Sequence, residues 1–158
     1  MWLKYLVIIL FFYFFAILQN SFLVHFNIFG ITPNFILIFC FLLIFFSPYG
    51  RPAQGRENYF YAIVAGFFLD VFSHSYFGVS IISLLITTFL LKKTLQLLWN
   101  KRDKYSVLYF IPLFAAYFMI NNALLELSLF NWTFIIAIIY NLAFALIGFY
   151  VCLKLNTK

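Results

Sequence analysis

Between Lys4 and Arg51 the chain carries no Asp, Glu, Lys or Arg, and between Lys104 and Lys154 it carries one, Glu126. A soluble monomer built from such runs would leave a broad apolar surface in water, which folded monomers avoid. Composition agrees: 66% of the 158 residues are apolar and 9% are charged, where a soluble domain carries about 25% charged residues. Mean hydropathy is +1.06. A bilayer is the solvent that suits this chain. At roughly 20 residues per crossing, there is room for about six spans and no water-soluble domain.

The expected fold is all-α: a compact bundle of six transmembrane helices forming a single membrane domain over 1–158. Polar and turn-forming clusters divide the chain into spans at 4–24, 34–48, 59–72, 77–98, 105–129 and 132–153. Gly30 and Pro33 punctuate the first loop, and Pro33 suits the start of the second helix. That second span is short, so the bilayer thins around it or its ends are shielded. The stretch after Leu91 continues as helix at the membrane surface. Gln19, Asn20 and His25 stand where a signal peptide would have its small-residue cleavage site, so the first span reads as uncleaved. Cys40 and Cys152 sit inside apolar runs and read as small core residues, not a disulfide framework.

The charge pattern sets orientation. The formal net charge is +6 and the pI is about 9.4, a balance that in a soluble protein would suggest nucleic acid. With six spans, Lys4, Arg51, Arg56, Lys92, Lys93, Lys101, Arg102, Lys104, Lys154 and Lys158 all fall on one membrane face. Basic loops stay cytoplasmic, so both termini are expected inside and no nucleic-acid partner is implied. Five spans would scatter these charges over both faces. Lys92, Lys93, Lys101, Arg102 and Lys104 form a cytoplasmic basic patch, first a topology signal and secondarily a contact for anionic lipid or a cytoplasmic protein. Trp2, Trp99 and Trp132 lie near the expected interfaces, where indole rings anchor helices.

Polar groups inside hydrocarbon need partners, so each marks a candidate site. Asp70 shares a helical stripe with Gly66 and Ala62, and small residues at that spacing let a second helix come close. In the fourth span, Ser80, Ser83 and Thr87 form a hydroxyl face. In the fifth, Pro112, Ala115, Met119, Asn122 and Glu126 align and are expected to face inward. Ala137, Asn141, Ala145, Gly148 and Cys152 do so in the sixth, leaving Phe, Ile and Leu toward lipid. Gln19, Asn20, His25, Asp70, His74, Asn122 and Glu126 all fall in the outer half. They read first as a structural hydrogen-bonding network, second as a ligand or partner site. No metal site is expected, because no H-E-x-x-H spacing occurs. Nor is a catalytic nucleophile with its base recognisable.

The stretch GFFLDVFSHSYFGVSIISLLITTFL, Gly66 to Leu90, resembles the signature of the MreD family of bacterial rod shape-determining membrane proteins. Gly66, Asp70 and Gly78 occupy the family's Gly, Asp and second Gly, and Pro33-Asn34 resembles its Pro-Asn start to the second span. His74 departs from the small residue common in that turn. The resemblance extends over almost the whole chain. It implies a non-enzymatic component of the inner-membrane cell-elongation machinery, without cofactors, that binds an MreC-like protein and supports peptidoglycan synthesis. Further partners implied are the actin-like MreB, the glycosyltransferase RodA with its transpeptidase, and membrane lipid. The family is also similar in architecture to the substrate-binding subunits of energy-coupling-factor vitamin transporters. The alternative function is therefore ligand capture for uptake, using the outer polar cluster.

Overall fold

In the computed structural model, residues 2–22, 25, 27, 30–46, 54–72, 76–97, 102–125 and 132–156 are described. Six α-helices are found among them: α1 (Trp2–Ser21), α2 (Phe35–Phe46), α3 (Gln54–Phe72), α4 (Val79–Leu97), α5 (Arg102–Leu124) and α6 (Trp132–Asn156). Three stretches are long and apolar enough to cross a membrane, Leu3–Ser21, Val107–Leu124 and Trp132–Leu155.

Contacts between helix ends show that neighbours alternate in direction. Lys4 at the start of α1 meets Glu57 at the start of α3, so these two helices run the same way. The end of α3 meets the start of α4 through Asp70 and Gly78. The start of α4 reaches the end of α5 through Ser83 and Asn121. Asn34, just before α2, bonds Asn141 in the first half of α6. Phe45 near the end of α2 meets Phe149 of α6 and Phe110 of α5 edge-to-face. One end of the bundle therefore gathers the starts of α1, α3 and α5 and the ends of α2, α4 and α6.

Helix α2 lies in the middle. At 12 residues it is about 18 Å long, too short to bridge about 30 Å of hydrocarbon unaided. Its environment is protein: Ile36, Leu37, Ile38, Cys40, Phe41, Ile44 and Phe45 are all buried. Around Phe41 and Phe45 packs an aromatic cluster of Phe110, Phe114 and Tyr117 from α5 and Phe149 from α6, with ring centroids 4.9–6.3 Å apart. Most of these pairs are tilted or edge-to-face, as ring quadrupoles favour.

Several expectations are corrected here. Phenylalanine does not simply face lipid, because Phe12, Phe45, Phe110 and Phe114 are among the largest fully buried side chains. Close ring packing holds helices together where lipid removes the hydrophobic contrast. The inward face of α5 is accordingly Phe110, Leu113, Phe114 and Tyr117, while Pro112 and Met119 are exposed. The helix is turned away from the stripe suggested by its small and polar residues. Helix α3 begins at Gln54, five residues before the expected 59, with Glu57 in the first turn, where a carboxylate favours the helix dipole. Helix α5 starts three residues early, at Arg102, and is described as helix to Leu124; residues 126–129 of the expected span lie outside the described residues. Helix α2 begins at Phe35, so Pro33 precedes the cap rather than opening the helix.

Candidate functional site

Helices α3 and α4 come close together at the glycine four residues before Asp70. A β-carbon on Gly66 would lie 2.6 Å from the Ile81 Cα and 2.8 Å from its nitrogen, distances that only a bare Cα permits. Helices α3 and α4 make the most extensive pairing in the bundle, and Ala62 and Ala65 on α3 are fully buried alongside. Small side chains thus set the backbone spacing.

One turn beyond Gly66, the buried Asp70 carboxylate sits over the start of α4. Oδ2 accepts hydrogen bonds from the backbone N–H of Gly78 at 2.8 Å and of Ile81 at 3.4 Å. Oδ1 accepts from the N–H of Ser80 at 2.9 Å. The first amides of a helix have no intrahelical acceptor, and they form the positive end of its dipole. Most helices are capped by the residue just before them; α4 is capped from the neighbouring helix. Gly78 makes the geometry possible with φ +100°, a region costly for residues with a β-carbon. For the same reason α4 starts at Val79 and not at the expected 77. The Tyr76 carbonyl receives the Val79 N–H at 3.3 Å, closing the turn.

Hydroxyls on α4 extend this junction. Ser83 Oγ bonds back to the Val79 carbonyl at 2.8 Å and reaches Asn121 Oδ1 of α5 at 3.3 Å. Thr87 Oγ1 donates to the Ser83 carbonyl at 2.6 Å and so stays within α4. Sequence reasoning chose Asn122 on α5, but its neighbour Asn121 makes the contact. Adjacent asparagines differ by about 100° around a helix, and only packing decides which turns inward.

A second clasp joins α2 and α6. Asn34 Oδ1 accepts the Leu37 N–H at 3.0 Å, a standard N-cap. Its own N–H donates to Asn141 Oδ1 at 2.6 Å, and Asn141 Nδ2 donates to the Ala137 carbonyl at 2.9 Å. Lower on the same pair, a β-carbon on Gly148 would press Leu42 Cδ1 at 2.8 Å. Asn141 is the residue that periodicity found without revealing its partner.

Among the described residues, the candidate outer polar cluster is not joined in this way. Asn20 is exposed and donates to the Ala16 carbonyl of its own helix at 3.1 Å. Gln19 is partly buried, with Oε1 enclosed and unpartnered. Asn122 is partly exposed. No described hydrogen bond connects Gln19, Asn20 and Asn122, and His74 and Glu126 lie outside the described residues. Of the basic patch, Lys93 is exposed and Lys92 Nζ sits 4.8 Å from the Tyr59 ring centroid. Lys101 and the side chains of Arg102 and Lys104 lie outside the described residues. Both cysteines are free. Among the described residues, no group of three or more His, Cys, Asp or Glu could hold a metal.

Apolar helices of membrane-crossing length around a buried polar clasp define a helical membrane protein. The profile of the rod shape-determining protein MreD matches residues 1–155. The chain belongs to the MreD family, whose role is the determination of rod shape. Comparison with curated proteins and with solved structures returns no match.

Proposed function

We propose that the protein is a non-enzymatic, multi-pass component of the inner-membrane cell-elongation machinery, binding an MreC-like partner and so supporting peptidoglycan synthesis. The observation that carries this reading is family membership over 155 of the 158 residues, and the form of the α3–α4 junction supports it. That junction spends an acid, two glycines and the first turn of a helix on fixing one helical hairpin. The Asp70 carboxylate is committed to backbone amides, as suits a recognition scaffold. In this reading Gly66, Asp70 and Gly78 hold α3 and α4, and Pro33 and Asn34 hold the start of α2, in the shape the partner recognises. MreB, RodA and its transpeptidase join through that partner. Alternating helix direction brings Lys4, Arg56, Lys92, Lys93 and Lys154 to one end of the bundle, and basic loops are retained inside. Both termini are therefore assigned to the cytoplasm.

The test is co-purification from membranes with an MreC-like protein. Wild-type protein should recover it, and Asp70→Ala should recover several-fold less at equal amounts of folded protein. Failure of the wild type to retain the partner under mild extraction overturns the proposal.

A further inference from the structure

The end of the bundle opposite Asp70 concentrates charge of one sign. Among the described side chains, helix direction brings Lys4, Arg56, Lys92, Lys93 and Lys154 to this end but one acid, Glu57. The described contacts show how part of that charge is handled. Glu57 Oε2 is bound by Lys4 Nζ at 2.7 Å and by the Tyr61 hydroxyl at 3.2 Å, so this carboxylate is committed. Tyr59 holds Lys92 against its ring face at 4.8 Å. The first turns of α3 thus draw in one lysine from α1 and one from α4. Arg56, one turn from Tyr59 on α3, and Lys93, beside Lys92 on α4, are left exposed on the two most extensively paired helices.

We propose that this end is a binding surface for anionic phospholipid, with Arg56 and Lys93 as its headgroup contacts on α3 and α4. A surface of excess positive charge at the edge of a bilayer meets phosphodiester headgroups before any other anion. Guanidinium and ammonium groups there bind the phosphate by charge-assisted hydrogen bonds. The exposed apolar flanks of the same helices, including Ile63 and Phe67 on α3 and Phe89 and Leu90 on α4, accept the acyl chains. Free phosphate or a soluble headgroup lacks that second contact. Glu57 and Tyr59 position the surface by holding Lys4 and Lys92 in place. The inference rests on membrane embedding and holds whether or not the elongation partner is correctly named.

In the test, full-length protein in neutral detergent is titrated with phosphatidylglycerol, phosphatidylcholine or soluble glycerol phosphate, and apparent affinity is read from the rise in melting temperature. Phosphatidylglycerol should stabilise at lower mole fraction than phosphatidylcholine, and high salt should erase the difference. The double variant Arg56→Gln/Lys93→Gln should lose about tenfold or more in apparent affinity, since each basic residue near an anionic surface contributes roughly fivefold. Arg56→Lys/Lys93→Arg should restore the preference, separating charge from folding. Equal stabilisation by both lipids, an undiminished response in the double variant, or equal stabilisation by glycerol phosphate would each overturn the proposal.

Discussion

Helix α1 and the α3–α4 hairpin sit side by side in the same bundle and are held by different physics. Helix α1 is the more hydrophobic, yet only about a tenth of Leu3–Ser21 is buried. Phe12 and Ala16 are its fully enclosed side chains, whereas Leu6, Leu10, Phe14 and Ile17 point outward. Val7, Leu10, Phe11 and Phe14 line an open groove of about 360 Å³ on its flank. Its attachment is made of ring contacts, such as Tyr5 to Phe60 and Phe12 to Phe39, and one ion pair at the rim. The hairpin is less apolar but closer packed, because Gly66 admits the α4 backbone and Asp70 captures its first amides. Apolarity secures a place in lipid, while small residues and satisfied polar groups secure a neighbour.

Placing a side chain at Gly66 should have the largest effect. Gly66→Val drives a β-carbon into backbone, which cannot yield as a side-chain tip can. Its cost should reach or pass the about 3 kcal/mol upper end of overpacking, read as loss of the monodisperse folded fraction after extraction. Asp70→Ala comes next. Three amides lose their acceptor, and at about 1–3 kcal/mol per buried unsatisfied group with partial relaxation, a loss of about 3 kcal/mol is expected in detergent unfolding. Asp70→Asn, which keeps one carbonyl oxygen, should fall between alanine and wild type.

Truncating the aromatic cluster tests the middle of the scale. Phe110→Ala should cost about 2 kcal/mol, below the 3–5 of a water-soluble core, because lost ring contacts count in lipid while most of the transfer term does not. The α2–α6 clasp is smaller still. Asn141→Leu should cost about 1 kcal/mol, typical of polar contacts between membrane helices. It should speed hydrogen exchange at the Asn34 amide while sparing Gly78 and Ser80. At the bottom, Leu10→Ala on the outer face of α1 should stay within about 0.5 kcal/mol. A Leu10 variant as damaging as Asp70→Ala would break the contrast between the two regions and assign α1 a protein contact it does not make here.

Much of this was legible beforehand. Long uncharged runs gave six helical segments, and ends drifted where a cap or an acid decided them: Gly78 delayed α4, and Glu57 helped α3 start early. Periodicity picked out Gly66, Asp70, Ser83 and Asn141, because small and polar residues stand out against phenylalanine and leucine. It gave no partner for any of them. It chose the wrong face of α5, where the buried rings look in sequence like any lipid-facing residues. Asn121 and Asn122 are equally polar, and nothing local separates them.

By itself, the sequence determined the solvent and the helices, since both follow from how individual residues partition between water and lipid. Only the tertiary structure decided that Asp70 caps α4, that Asn34 leans on Asn141 and that phenylalanine fills the interior. Those outcomes depend on which surfaces meet. In lipid, an apolar side chain gains almost as much from a hydrocarbon tail as from a neighbouring helix, so hydrophobicity cannot say which way a helix turns. Close approach and the pairing of polar groups make that choice, and both are properties of the assembled bundle.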